Sequence, residues 1–274
     1  MSFYQRLLPM FLLVMGGCAL GRKAPEPVAT VPASVVREQL ILHADFEVPR
    51  DHPLLDELLA LRKTISQELA FPTSEEPIHV YLYESAADYA AQAEKYFPRS
   101  APRRAFFVES NTRLNVYAQW GNSAAEDLRH ELTHGYVHAS LRNLPLWLDE
   151  GIAEYFEVPR DQAGRHESHL QLLAKMRDEG WSPDLARLES LTSAATMTQQ
   201  DYAEAWLWTH WLLSTTPERR ELLRKYIATL RRDGAASPFS LKLREFDVLP
   251  HKSLSEYLAQ VSGTKTAVVE GMLE

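Results

Sequence analysis

The chain has a single cysteine, Cys18, among its 274 residues. No disulfide can form within it, so its stability must come from packing or from a bound ion. Positive charge is also scarce. The 29 lysines and arginines face 37 aspartates and glutamates, for a net charge of −8, and no basic patch stands out, which argues against nucleic acid as a partner. Long hydrophobic runs are missing too. The apolar stretch at 7–15 falls well short of the roughly 20 residues that a membrane-spanning helix needs. No internal repeat is visible. What the chain does have is 45% apolar content and six tryptophans, enough for a sizeable packed core.

The first residues read as a targeting segment. Arg6 gives a weakly basic start, the run at 7–15 follows, and Gly16 and Gly17 precede Cys18. This is signal-peptide length and order. Val14-Met15-Gly16-Gly17-Cys18 resembles a bacterial lipobox, with Met15 where leucine is usual. That resemblance implies a signal peptide over 1–17 and a lipidated Cys18, with membrane attachment through the lipid. Ala19 after the cysteine implies onward transport to the outer membrane, facing the periplasm. Ordinary cleavage after Ala19-Leu20-Gly21 is the competing reading, and both predict export. Residues 18–34, with Pro25, Pro27 and Pro32, read as an extended tether.

Periodicity beyond the tether predicts an α+β fold. Strands are expected within 39–48, at 78–83, and as a hairpin at 104–109 and 114–117. Helices are expected at 51–69, 85–96 and 124–141, from Pro145 onward, and then at 166–178, 203–213, 217–232 and 253–261. The layout is a small mixed sheet with helices over 35–160, followed by an all-helical half over 161–274. Pockets form at such junctions.

At that junction lies the run His130-Glu131-Leu132-Thr133-His134, an H-E-x-x-H motif. Residues four apart share a helix face, so both imidazoles can address one ion. Glu131, one residue round, reaches the ion's water without ligating the ion. The bland alternative is a surface helix with two solvated histidines. Against it stand the apolar residues Leu128, Leu132, Val137 and Leu141 of the same helix. Trp147-Leu148-Asp149-Glu150-Gly151-Ile152-Ala153-Glu154 then opens a second helix that carries acidic ligands.

The two segments together resemble the gluzincin metallopeptidases, the group containing thermolysin and the aminopeptidase-N-like enzymes. The stretch from Leu144 to Tyr155 is more similar still to bacterial peptidase MA-like proteins. Position by position, the resemblance makes His130, His134 and Glu150 the ligands of one zinc ion per chain and Glu131 the catalytic base. Glu154, one turn after Glu150, becomes the carboxylate that accepts a ligand histidine's outer N–H. Fifteen residues separate His134 from Glu150, a shorter connector than the better-known members have, and this keeps Glu154 open as the third ligand instead. Tyr202 matches a tyrosine that donates to the tetrahedral oxyanion, or it simply starts a buried helix.

The function so implied is a zinc-dependent peptidase that cleaves peptide or protein substrates through a metal-activated water, with Glu131 as general base. The alternative is an exported, lipid-tethered binding or assembly protein that keeps the zinc fold without turnover. Endo- and exopeptidase action, the substrate and the oligomeric state are all left open. Among the other histidines, His138 is expected near the ligands but not on the ion, His166 and His169 on a solvated face, and His210 in the core with the tryptophans. Phe106-Phe107-Val108 is a candidate sheet edge for an extended peptide.

Overall fold

Five strands form one mixed sheet in the order β1-β2-β3-β5-β4. They are β1 Ala33–Arg37, β2 Leu40–Ala44, β3 Ile78–Tyr83, β4 Ala105–Glu109 and β5 Leu114–Gln119. The structure is a computed structural model that describes residues 33–270 apart from 97, 99–102 and 111. The expected leader, Cys18 and the expected tether up to residue 32 lie outside the described residues. The tether was expected to run through Ser34, but β1 begins at Ala33.

β1 and β2 pair antiparallel, β2-β3 and β3-β5 parallel, and β4-β5 antiparallel. The parallel pairing of β2 with β3 requires a crossover, which α1 (Pro53–Leu69) supplies. Its start follows from chemistry: His52 caps by accepting from the Leu54 N–H, and Pro53 occupies the first turn, where no amide is needed. One face of the sheet packs its Leu42, Val80 and Val116 against α1 and α3 (Ala124–His138). The other face carries Tyr81, Phe106 and Tyr117 under α2 (Ala86–Tyr96). Coverage on both sides is why β5 has so little polar alternation.

The helical half consists of α4 Leu146–Phe156, α5 Glu167–Asp178, α6 Leu185–Glu189, α7 Gln199–Ser214, α8 Pro217–Asp233, α9 Phe239–Phe246 and α10 Pro250–Glu270. α7 is its axis, with Trp206, Trp208 and Trp211 almost fully buried. It starts four residues earlier than expected because Thr198 and Asp201 form a reciprocal capping box. α4 packs on α7 from one side and on α3 from the other. One hydrophobic cluster therefore runs from Val35 to Leu258 across both halves. The mixed sheet and the helical half agree with the expected α+β class. α6, α9 and the full length of α10 were not expected. The N-terminus of α9 is capped from a distance, by the Glu189 carboxylate accepting from the Phe239 N–H.

Candidate metal centre

α3 lies against β4 and β5 and presents His130 and His134 one turn apart toward α4, which supplies Glu150. The Nε2 atoms of His130 and His134 stand 3.7 and 3.6 Å from Glu150 Oε2. These distances are too long for hydrogen bonds. They are close to the ~3.4 Å that separates ligand atoms about 2.1 Å from a tetrahedral centre. The expected trio His130, His134 and Glu150 is thus brought together, with Glu150 and His134 buried.

The outer nitrogens are held as well. His130 Nδ1 is 2.9 Å from Glu157 Oε2, and His134 Nδ1 is 3.0 Å from Asp149 Oδ1. Nδ1–H donation to these carboxylates aims each Nε2 inward, where it is bare once the ring is neutral. Behind Asp149 the relay continues to His138 Nε2 at 3.1 Å, and from His138 Nδ1 to Glu109 Oε2 at 2.6 Å. His138 therefore stands beside the centre and outside the trio, as expected. Phe107 lies over His134, with ring centroids 6.0 Å apart.

Charges here are strongly interdependent. Burial would depress the His134 imidazole, but the carboxylates of Asp149 and Glu150 outweigh it and lift the group to about 10. His130 is raised for the same reason, by Glu150 and Glu157 against burial. Burial pushes Glu150 upward, yet His130 and His134 overcome this and hold it at about 2. Glu131 behaves differently: burial raises it, and the two histidines only partly oppose the rise.

Two expectations need correction. Glu154 does not take a ligand histidine's N–H: its Oε1 is 4.0 Å from His130 Nδ1, while its Oε2 pairs with His169 Nε2 at 2.7 Å. Glu157, three residues on, fills the place expected for Glu154, because the capping residue of α4 turns toward α3 where Glu154 faces α5. Glu154 also does not converge with His130 and His134 as a third ligand. Nor do His166 and His169 form a solvated face. His169 is buried and His166 half-buried, both drawn in by the acidic end of α4. His210 is a core histidine as expected. It is buried, accepts from or donates to Tyr257 Oη at 2.8 Å, and is held down at about 4 by burial and then by Arg165. Asp149 and Glu157 are the carboxylates that hold the two imidazoles and that the sequence reading did not single out. Spacing put Glu157 on the face of Glu150, seven residues on, but did not say which imidazole it meets, and nothing in the spacing marked Asp149.

The trio opens into a cleft of about 610 Å³, lined also by Glu131, Phe106 and Phe107 of β4, Ala194 and Tyr202. β4 is an edge strand, as expected for 106–108. Tyr202 is half-buried, its Oη 3.5 Å from the Ala194 carbonyl. Burial, then Glu150, pushes the phenol up to about 12, so it stays protonated at neutral pH.

No curated protein matches the chain. Residues 125–236, less than half of the chain, are similar to a family described as "Protein of unknown function (DUF1570)", and that span contains both histidines of the trio, Glu131, Glu150 and Tyr202.

Proposed function

We propose that the chain is a zinc-dependent peptidase of the gluzincin type. The observation that carries this reading is the convergence of two imidazole nitrogens and one carboxylate oxygen in a cleft that Glu131 also lines. Two histidines and a glutamate suit a catalytic zinc with an open position. His130, His134 and Glu150 would hold the ion. When bound, it supplies a Lewis acid and makes water nucleophilic near neutral pH.

The remaining work falls to the chain's own side chains. Asp149 and Glu157 fix the ligand imidazoles. Glu131, its proton affinity raised by burial, takes a proton from the attacking water and returns it to the departing amine. Tyr202, protonated at neutral pH, donates to the developing oxyanion once its hydroxyl leaves the Ala194 carbonyl. The open edge of β4 offers backbone groups to an extended peptide, which pairs as an added strand.

Glu131→Gln is the decisive substitution. The variant is expected to keep its zinc and to lose peptide cleavage by roughly 10²–10⁴-fold. Cleavage at the wild-type rate would exclude the mechanism. The alignment of Tyr202 with Ala194 also favours a second reading, a zinc-fold binding protein without turnover. Incubation with a mixed peptide library, with and without chelator, separates the two: zinc-loaded protein with no chelator-sensitive cleavage is the signature of the binding protein. Export with a lipidated Cys18 is part of the proposal. Its check is whether Cys18→Ser protein leaves the membrane fraction.

A further inference from the structure

A second cluster of ligand-type side chains lies on the far side of His130. The end of α4 carries Glu154 and, at its cap, Glu157. The chain then reverses through a short 3-10 turn and two left-handed residues, Ala163 (φ 49°) and Gly164 (φ 76°). Gly164 is needed there, since a β-carbon would strike the Tyr155 ring, and its carbonyl is gripped by Trp206 Nε1 at 2.8 Å. The reversal lays the first turn of α5 along the last turn of α4. An E-x-x-E pair, 154 and 157, thereby faces an H-x-x-H pair, 166 and 169.

The donor atoms converge. His169 Nε2 and His166 Nε2 are 2.7 and 3.8 Å from Glu154 Oε2, and His166 Nε2 is 2.5 Å from Glu157 Oε1. The two short contacts are hydrogen bonds that an ion would open on entering among Glu154, His166 and His169, whose ligand atoms all lie within 4.8 Å of one another. The two imidazoles stack nearly parallel, with centroids 3.8 Å apart and planes inclined by 15°, so both Nε2 atoms project to the same side. His166 Nδ1 is 3.0 Å from Ser168 Oγ. With an ion in place of the Glu157 hydrogen bond, an Nδ1–H donated to that hydroxyl would leave Nε2 bare.

Charge balance makes the arrangement costly without an ion. Glu154 and Glu157 are each no more than 9% exposed, and among the described residues their ion pairs run to histidines. With His166 and His169 neutral, the buried Glu154 carboxylate keeps only the His169 N–H against its charge, and Glu157 shares His130 with the first centre. With both protonated, two cations lie face to face at 3.8 Å. A divalent cation resolves both problems at once, neutralising the carboxylates while each imidazole stays neutral and binds through Nε2.

The geometry points to a second metal site, in which Glu154, His166 and His169 ligate a divalent first-row transition ion and Glu157 completes the set. Two imidazoles with carboxylate suit Zn²⁺, Co²⁺, Mn²⁺ or Fe²⁺. The site shares no donor atom with the trio of His130, His134 and Glu150. Glu157 links the two, since its other oxygen accepts from His130 Nδ1. The assignment does not depend on peptidase activity.

The test counts metal. Full-length protein loaded with Zn²⁺ and desalted is expected to retain two ions per chain by mass spectrometry of the element. The His166→Ala,His169→Ala and His130→Ala,His134→Ala proteins should each retain one. A single ion in the wild type that disappears only with His130 and His134 overturns the second site. A single ion that survives loss of His130 and His134 supports it and counts against the proposed peptidase centre. Titration of the chelator-treated wild type with Co²⁺, followed by visible absorption, gives an independent readout. Two saturable spectral steps are expected, and a single step that persists unchanged in the His166→Ala,His169→Ala protein overturns the site.

Discussion

Glu157 is the side chain on which the two clusters turn, one carboxylate oxygen on His130 and the other on His166. Losing its charge should cost the His130–His134–Glu150 centre roughly 10–100-fold in zinc affinity. Glu154→Gln should leave that centre almost untouched, because Glu154 faces His169. Competition for Zn²⁺ with a chelator measures both, provided His166 and His169 are first replaced so that a single centre reports. A second expectation concerns protons. With no ion present, His134 titrates at about 10 and is protonated at neutral pH, yet it must be bare to ligate. Zinc uptake should therefore release protons and weaken as pH falls. Calorimetry in buffers of different ionisation heats reads this directly; equal heats in all of them would contradict it. His130 and His134 were legible because helical spacing places them on one face, and Glu131 and Glu150 because the motifs around them resemble those of the gluzincin metallopeptidases. The partners Asp149 and Glu157 were not, because which carboxylate meets which imidazole depends on how α3 crosses α4.

Between elements, the tightest junction is that of α4 with α7. A β-carbon on Gly151 would overlap Thr209 Oγ1 and stand 2.5 Å from the Ala205 carbonyl oxygen. The glycine after Glu150 is thus required by a close helix approach, independently of chemistry. Gly151→Ala should destabilise the protein by roughly 1–3 kcal/mol through overpacking. It should also weaken zinc binding, since Glu150 moves with the helix. Denaturant unfolding and zinc competition measure the two effects, and an unchanged midpoint would show that the helices can part without strain. Elements with strong local signals were legible. The strand at 78–83 was read to the residue, and α8, with Pro217 at its start and Gly234 past its end, to within one. β1 and α6 are five residues long, and α9 is capped by Glu189 some fifty residues earlier. Such elements exist because of tertiary contacts that no short window contains.

For the whole molecule, the histidines set a steeper pH trend without metal than with it. Asp149 and its neighbours hold His134 at about 10 and His138 at about 9 against burial, both above the ordinary 6.5. A raised histidine contributes stability that is full below the unfolded value and lost as pH climbs through the folded one. Metal-free protein should therefore lose stability between about pH 7 and 10. In zinc-loaded protein His134 is already neutral and held by the ion, so its melting temperature should fall less over that range. Thermal melts of chelated and loaded samples at pH 7, 8 and 9 are expected to diverge steadily, and parallel curves would refute the coupling.

β1 has a mechanical consequence. It enters the sheet at the edge opposite β4, four strand intervals or about 19 Å from the strand that borders the cleft. Its pairing with β2 begins at Ala33 opposite Ala44 and closes at Arg37 opposite Leu40. A pull on whatever precedes Ala33 would load that ladder from its open end, one pair at a time. β1 would then peel like a fuse, and the force needed to unzip its pairs singly would cap the load passed on to the β3-β5-β4 ladder and α3. A chain hauled or jostled from its N-terminal side would sacrifice five residues of edge strand before its cleft felt any greater force.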